Sequence, residues 1–180
     1  MNFIKKSIIS LGAMVGIMGV TIPSHALLIE PILTYGATTL DVSGSDDNPS
    51  NLYYGLRLGT DVVDLGFASL FVALDYKTGG GEFSIGAPVN LTSDFNYTMT
   101  SVDVGLDLPL VRAWLMYMVT NKIAFDVSGV DDYEGEGAIG LGVGLGVLPF
   151  VEINVEYIAS SDDDVDLQTL LVGVSLPLDI

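Results

Sequence analysis

The sequence predicts an all-β protein, an eight-stranded, antiparallel, up-and-down transmembrane β-barrel. Four long polar connections lie at about residues 41–51, 77–94, 120–136 and 159–166. Three short turns alternate with them, near residues 61–64, 107–109 and 148–149. The apolar segments between them are roughly ten residues long, which is the length that a tilted strand needs to cross a bilayer. Long loops on one side and tight turns on the other are typical of bacterial outer-membrane barrels.

The first 26 residues are interpreted as a cleaved export signal, which leaves residues 27–180 as the barrel domain. Lys5 and Lys6 precede an apolar run over residues 8–22, and Ser24-His25-Ala26 offers the small residues that signal peptidase accepts. The alternative is a retained membrane helix, but a run of about 15 residues is short for a span. We therefore expect a multi-pass protein exported to the bacterial outer membrane.

The residue types available exclude several kinds of chemistry. Cleavage would remove His25, the only histidine, and the chain has no cysteine. The mature chain would then lack the residues for catalytic Ser/His/Asp sites, cysteine nucleophiles and His/Cys zinc sites. We predict a protein that is not an enzyme and has no cofactor. A paired-carboxylate protease at the barrel rim is the one enzymatic alternative.

The expected mature chain is strongly acidic. All 23 acidic residues but only four of the six basic residues follow position 26, so its formal charge is 4 − 23 = −19. Such a chain repels nucleic acid, and we expect no nucleic-acid partner. The mean hydropathy of the full 180-residue chain is nevertheless +0.54. Both facts are explained if charge lies in the connections and the lumen while apolar residues face lipid.

Strict alternation of side chains supports the strands. In the segment 150–158, Glu152, Asn154 and Glu156 alternate with apolar residues, as expected for one face toward the lumen and one toward lipid. The segment 137–147 alternates glycine with Ile, Leu and Val. Residues 110–120 are apolar on both faces apart from Arg112. Around residues 98–101 the phase slips, which predicts a β-bulge or an extension above the membrane.

Aromatic residues provide a second line of evidence for the orientation. Most of them lie where the predicted strands meet the long connections, the position of an outer aromatic girdle. The predicted girdle comprises Tyr53, Tyr54, Tyr76, Phe95, Tyr97, Tyr117 and Tyr157.

On these residues, the chain resembles the small outer-membrane β-barrel family that includes the OmpA transmembrane domain and OmpX-like proteins. The resemblance covers nearly all of residues 27–180 and rests on the glycine-alternating strand Gly137–Val147, the turn Leu148-Pro149 and the strand Phe150–Ile158. It implies outer-membrane lipid, lipopolysaccharide and the barrel-assembly machinery as partners. The family usually ends in an aromatic residue, whereas this sequence ends in Pro177-Leu178-Asp179-Ile180.

Charged residues on the lumen face are the predicted site. They are Glu30, Arg57, Asp75, Asp103, Asp107, Arg112, Glu152 and Glu156. An eight-stranded barrel is just wide enough to be filled by side chains, so we expect these charges to pair and to plug the lumen. The alternative is a narrow cation path, or a gate of exchangeable ion pairs.

Acidic clusters in the long connections are weak candidates for a loop-bound divalent cation, because carboxylates are hard-oxygen ligands. The candidates are Asp131, Asp132, Asp162, Asp163 and Asp164. The simpler interpretation is solvated charge.

The predicted function is a structural, surface-interaction or adhesion role. One alternative is transport of small cations or of apolar solutes past an apolar route on the lumen face. That route would comprise Phe67, Phe71, Trp114, Met116 and Met118. Another alternative is a soluble, lipocalin-like barrel, which would be apolar inside and polar outside. The charged stripe opposite each apolar stripe argues against it.

Overall fold

The computed structural model describes residues 27–42, 45–47, 50–85, 91–125, 133–135, 137–148, 150–162 and 165–179. Every regular element in these ranges is a β-strand. Among the same residues, no helix is long and apolar enough to cross a membrane. The expected export signal, residues 1–26, lies outside the described residues.

Eight long strands form the wall of the structure. They are β1 (Leu27–Val42), β3 (Ser50–Asp64), β4 (Ser69–Ile85), β5 (Leu91–Asp107), β6 (Val111–Phe125), β8 (Ile139–Leu148), β9 (Val151–Asp162) and β10 (Val165–Ser175). Three short strands are appended to them, namely β2 (Ser45–Asp47), β7 (Tyr133–Gly135) and β11 (Leu178–Asp179).

The wall closes on itself. Each long strand pairs antiparallel with the next long strand along the chain, and β10 returns to pair with β1 from Ile32↔Ser175 to Asp41↔Asp166. Closure gives each long strand two neighbours in the wall, as a sheet in lipid requires. The fold is therefore an eight-stranded, antiparallel, up-and-down transmembrane β-barrel, as the sequence predicts.

Side chains alternate between the lumen and the outer wall. On β9, Glu152, Asn154 and Glu156 are buried while Ile153 and Val155 are exposed. The outward residues of the other long strands are mostly Leu, Val, Ile and Tyr, and the lumen holds the buried charges. A lipocalin-like barrel needs the opposite arrangement, so that alternative is wrong.

The two ends of the barrel differ. The turns β3–β4, β5–β6 and β8–β9 lie at one end, here called the turn end, together with the Leu28↔Asp179 pairing of β1 and β11. The β5–β6 turn is a tight hairpin in which Leu108 and Val111 exchange backbone hydrogen bonds of 2.9 and 3.3 Å. In the β8–β9 turn Phe150 adopts a φ of 73°, which is strained for a residue with a side chain. The opposite end, where the polar connections lie, is called the loop end.

The strands continue farther toward the loop end than the sequence suggested. Most of the predicted connection 77–94 is strand, since β4 and β5 remain paired from Lys77↔Met99 to Ile85↔Leu91. Strands of 17 residues exceed the 9–11 that cross a bilayer. The predicted loop boundaries were wrong because polar residues can continue a hydrogen-bonded ladder in water, where hydropathy no longer marks the strand.

The predicted irregularity near residues 98–101 belongs to the neighbouring strand. Pairing shifts between Thr100↔Thr120 and Ser101↔Met118, which leaves Val119 as an extra residue on β6. Within β5 the alternation continues unbroken, with Tyr97, Met99 and Ser101 all facing inward. The apparent slip arose because inward residues on this part of β5 are large and apolar.

Candidate functional site: the barrel lumen

Arg57, on β3, is the centre of the lumen. Its side chain is fully buried, and its guanidinium lies 2.8 to 3.3 Å from four carboxylates on four other strands. They are Glu30, Asp75, Asp103 and Glu156. The guanidinium carbon also lies 4.3 Å from the centre of the Trp114 ring. A guanidinium suits this place because its five donors spread in a plane toward several acceptors and one face can stack on an aromatic ring.

Two further cations extend the network along the barrel axis. Toward the turn end, Arg112 contacts Glu30 at 2.9 Å and Asp107 at 3.0 Å, and its Nη1 lies 3.8 Å from Glu152 Oε2. Toward the loop end, Lys77 contacts Asp75 at 2.7 Å and Glu156 at 2.9 Å. Glu30 joins Arg57 to Arg112, and Asp75 and Glu156 join Arg57 to Lys77. The network therefore ties together β1, β3, β4, β5, β6 and β9.

The structure brings all eight predicted lumen residues into this network, with Asp107 at its half-buried edge. Lys77 is the member that sequence reasoning missed. It was assigned to a connection because the apolar run ends just before it, at Tyr76. The period-two signal was present nevertheless, since Phe71, Ala73, Asp75 and Lys77 share one parity and all point inward.

Within this network, acids outnumber bases. Three cations face six carboxylates, so the formal charge is 3 − 6 = −3. Unpaired charge is costly in a dry interior. The excess negative charge therefore attracts any further cation that enters the lumen.

Apolar side chains fill the space that the ionic network leaves. The cluster includes Tyr53, Tyr97, Met99, Met116, Met118, Ile158, Leu167 and Leu171, and each of these is at most 3% exposed. Most of these residues lie between the network and the loop end. Phe71 packs against Arg112, with the guanidinium carbon 5.4 Å from its ring centre.

Four of the five residues proposed for an apolar route belong to this packed core, namely Phe71, Trp114, Met116 and Met118. The assignment of Phe67 to the lumen was wrong. Phe67 lies in the β3–β4 turn and is 73% exposed. Residues of a tight turn do not continue the strand alternation, so parity does not apply to it.

Glycines on β8 make room for the largest inward residues. A methyl group at Gly142 would fall 2.0 Å from Trp114 Cε2, and one at Gly140 would fall 2.6 Å from Met116 Cε. The glycine alternation predicted for this strand therefore has a packing cause, since large side chains on β6 cross over the β8 backbone.

The predicted aromatic girdle is partly wrong. Tyr54, Tyr76, Tyr117 and Tyr157 are exposed on the outer wall, where Tyr35 joins them. Tyr53, Phe95 and Tyr97 instead point into the lumen and are at most 7% exposed. Tyr53 and Tyr97 stack edge to face there with ring centres 5.8 Å apart, and Tyr97 donates a hydrogen bond to Asn121. Position along a strand predicts the height of a side chain but not its facing, which parity decides.

The acidic loop candidates lie beyond the side chains that the structure describes. This holds for Asp131, Asp132, Asp162, Asp163 and Asp164. Among the described residues, no group of three or more His, Cys, Asp or Glu side chains is arranged to hold a metal ion.

Comparisons with known proteins agree with the fold. No protein-family model matches the chain, and curated proteins give no match. Among solved structures, the chain resembles Ail, the attachment invasion locus protein of Yersinia pestis, in a complex with the heparin analogue sucrose octasulfate. The two share 16% identity at a TM-score of 0.60, over 85% of this chain and 99% of Ail. Neisserial surface protein A is similar with 17% identity and a TM-score of 0.50, over 82% of this chain and 96% of that protein. At such identities the likeness establishes the transmembrane barrel fold.

Proposed function

We propose that this chain is an integral protein of a bacterial outer membrane whose barrel is closed and whose role is structural or surface-interacting rather than catalytic. The observation that carries the proposal is the filled lumen. A network of ion pairs ties six barrel strands together around the fully buried Arg57, and a packed apolar cluster lies between it and the loop end. A plugged barrel of this kind presents its outer wall and loops rather than a passage.

The outer wall supports the proposed location. Its exposed side chains form an apolar band that ends toward the loop end in tyrosines, and beyond these the outward residues are polar, such as Thr78, Thr98 and Gln168. Such a band next to an aromatic belt fits a bilayer. In the proposal, residues 1–26 direct export, the barrel-assembly machinery inserts the chain, and lipid and lipopolysaccharide surround it.

Cell fractionation combined with a heat-modifiability gel tests the location. We expect the protein in the outer-membrane fraction, shortened at its N-terminus, and migrating faster unheated than heated because the folded barrel resists detergent. Recovery of a folded monomer that needs neither detergent nor lipid would contradict the proposal.

Recording in planar bilayers tests the plug. The closed lumen predicts no discrete channel openings from the wild-type protein. A narrow cation path is the second candidate, and the network's formal charge of −3 is the observation that favours it. Regular cation-selective openings in the wild-type protein would contradict the closed lumen and support the cation path.

The chain's charge narrows the kinds of surface partner. Ail was crystallised with a heparin analogue, whereas this chain has a formal net charge of −17, and three of its six basic residues are enclosed in the lumen. We expect the refolded barrel to show no retention on immobilised heparin at physiological ionic strength, where like charges repel. Retention there would show that loop geometry overrides the overall charge.

A further inference from the structure

Two buried oxygens at the turn end of the lumen converge without a donor between them. They are Oε1 of Glu152 and Oδ1 of Asn154, and neither has a hydrogen-bond partner among the described residues. Glu152 is 6% exposed and Asn154 is fully buried. A buried acceptor without a donor is destabilising, because it has lost its hydrogen bonds to water and gained none in return. We propose that the two oxygens bind a hard divalent cation, Ca²⁺ or Mg²⁺, at the mouth of the barrel.

The spacing of the two oxygens suits one ion. An ideal Cβ built on Gly144 would lie 1.9 Å from Glu152 Oε1 and 2.8 Å from Asn154 Oδ1. The two oxygens are therefore at most 4.7 Å apart, the sum of these distances. An ion with ligand distances of about 2.0–2.6 Å can contact both. Glycine at position 144 is what allows both side chains to meet over the β8 backbone.

The remaining atoms of both side chains are held by neighbours. Asn154 Nδ2 donates to Ser175 Oγ at 2.7 Å, which turns Oδ1 toward Glu152. On Glu152, Oε2 is the oxygen nearest Arg112, 3.8 Å from its Nη1. The second carboxylate oxygen, Oε1, is thereby left for a different cation.

A pocket at the turn end borders Glu152, the carboxylate of the proposed site. It has a volume of about 290 Å³ and is lined by Glu152, Asp107 and Arg112 together with the β5–β6 and β8–β9 turns. Solvent in this pocket can complete the coordination shell, as is usual for Mg²⁺ and common for Ca²⁺. The network's charge of −3 supplies the attraction, and a divalent ion offsets most of it.

Terbium luminescence tests the site directly, because Tb³⁺ occupies calcium-type oxygen sites and is excited by a nearby indole. Trp114 is the only tryptophan in the chain, and its ring lies over Gly142. Gly142 is two residues along β8 from Gly144, a rise of about 7 Å. Excitation at the red edge of the indole band, with the folded barrel in zwitterionic detergent, should therefore report an ion bound at this site.

We expect saturable Tb³⁺ emission that Ca²⁺ or Mg²⁺ displaces and that Na⁺ at equal ionic strength does not. Glu152→Gln should weaken Tb³⁺ binding by about tenfold or more, and Gly144→Ala should remove it by pushing both oxygens aside. The matched control is Asp61→Asn, which removes a half-buried carboxylate near the same end of the barrel, and it should retain wild-type affinity.

Three results would overturn the proposal. They are absence of sensitised emission from the folded wild-type barrel, unchanged emission in Glu152→Gln, and displacement by Na⁺ at equal ionic strength. Glu152→Gln keeps the size of the side chain, so the test holds even if Gly144→Ala fails to fold. The terbium experiment does not depend on single-channel recordings. A negative result would therefore count against the cation site and not against the proposal of a plugged barrel.

Discussion

Replacing Arg57 by methionine removes the central cation of the lumen while keeping much of its volume. Lys77 still contacts Asp75 at 2.7 Å and Glu156 at 2.9 Å, and Arg112 still contacts Glu30 at 2.9 Å. The carboxylate that loses its cation is Asp103, which keeps a 2.6 Å hydrogen bond from Ser101. The lumen charge changes from −3 to −4.

The expected cost follows from that single stranded carboxylate. Breaking a buried ion pair by removing one partner costs about 3–5 kcal/mol, because the other charge stays buried without compensation. The double variant Arg57→Met/Asp103→Asn should recover about half of this cost or more, since the stranded charge is then gone. Arg112→Met is the matched control. It should cost less, about 1–2 kcal/mol, because Glu30 keeps its contact with Arg57 and the Asp107 side chain is 34% exposed and can be hydrated. Glu152 loses only a 3.8 Å contact with Arg112 and borders the pocket at the turn end.

Urea unfolding in lipid vesicles measures these free energies. The folded fraction is read from the unheated gel band, and Trp114 fluorescence serves as a second probe whose baseline must be set for each variant, because Arg57 contacts its ring. The reasoning would be refuted if Arg57→Met unfolds within about 1 kcal/mol of the wild type, or if adding Asp103→Asn makes it less stable. Discrete channel openings in Arg57→Met alone would show that this side chain blocks the lumen.

Two further predictions concern the wall. Val155→Arg should lower the free energy of unfolding by about 2–4 kcal/mol, because Val155 faces outward in the middle of the apolar band. Ile153→Arg lies two residues nearer the β8–β9 turn and should cost less. Equal costs for the two variants in vesicle unfolding would contradict the assignment of Val155 to the middle of the band. Gly142→Val should cost about 1–3 kcal/mol or more, because its Cβ would meet Trp114 at 2.0 Å. Gly146→Val, whose Cβ would lie 3.8 Å from its nearest neighbour, is the control and should unfold close to the wild type.

Facing could be predicted wherever the alternation was applied consistently. Glu152 and Glu156 point inward as their parity indicates, because each of them neighbours residues that must face lipid. The errors arose where height on the strand or hydropathy was used in place of the alternation. Tyr53 was placed in the girdle by its height on the strand, although Arg57 shares its parity. Lys77 was lost because hydropathy, not pairing, set the end of the strand.

The bulge on β6 could not be assigned from one strand. An extra residue at Val119 is defined only against Thr100 and Ser101 of β5, with which β6 pairs. The phase of a single strand therefore shows that an irregularity is near, while the paired register decides which strand contains it.

By itself the sequence determined the number of wall strands, the end at which the tight turns lie, and the apolar and charged faces of most strands. These are local properties, because the alternation of side chains is a feature of each strand alone. Only the tertiary structure decided which charges meet. Arg57 and Glu156 are 99 residues apart, and their contact depends on the stagger of all eight strands around the closed wall. That stagger is set by the summed pairing and packing of the whole barrel, which no single segment encodes.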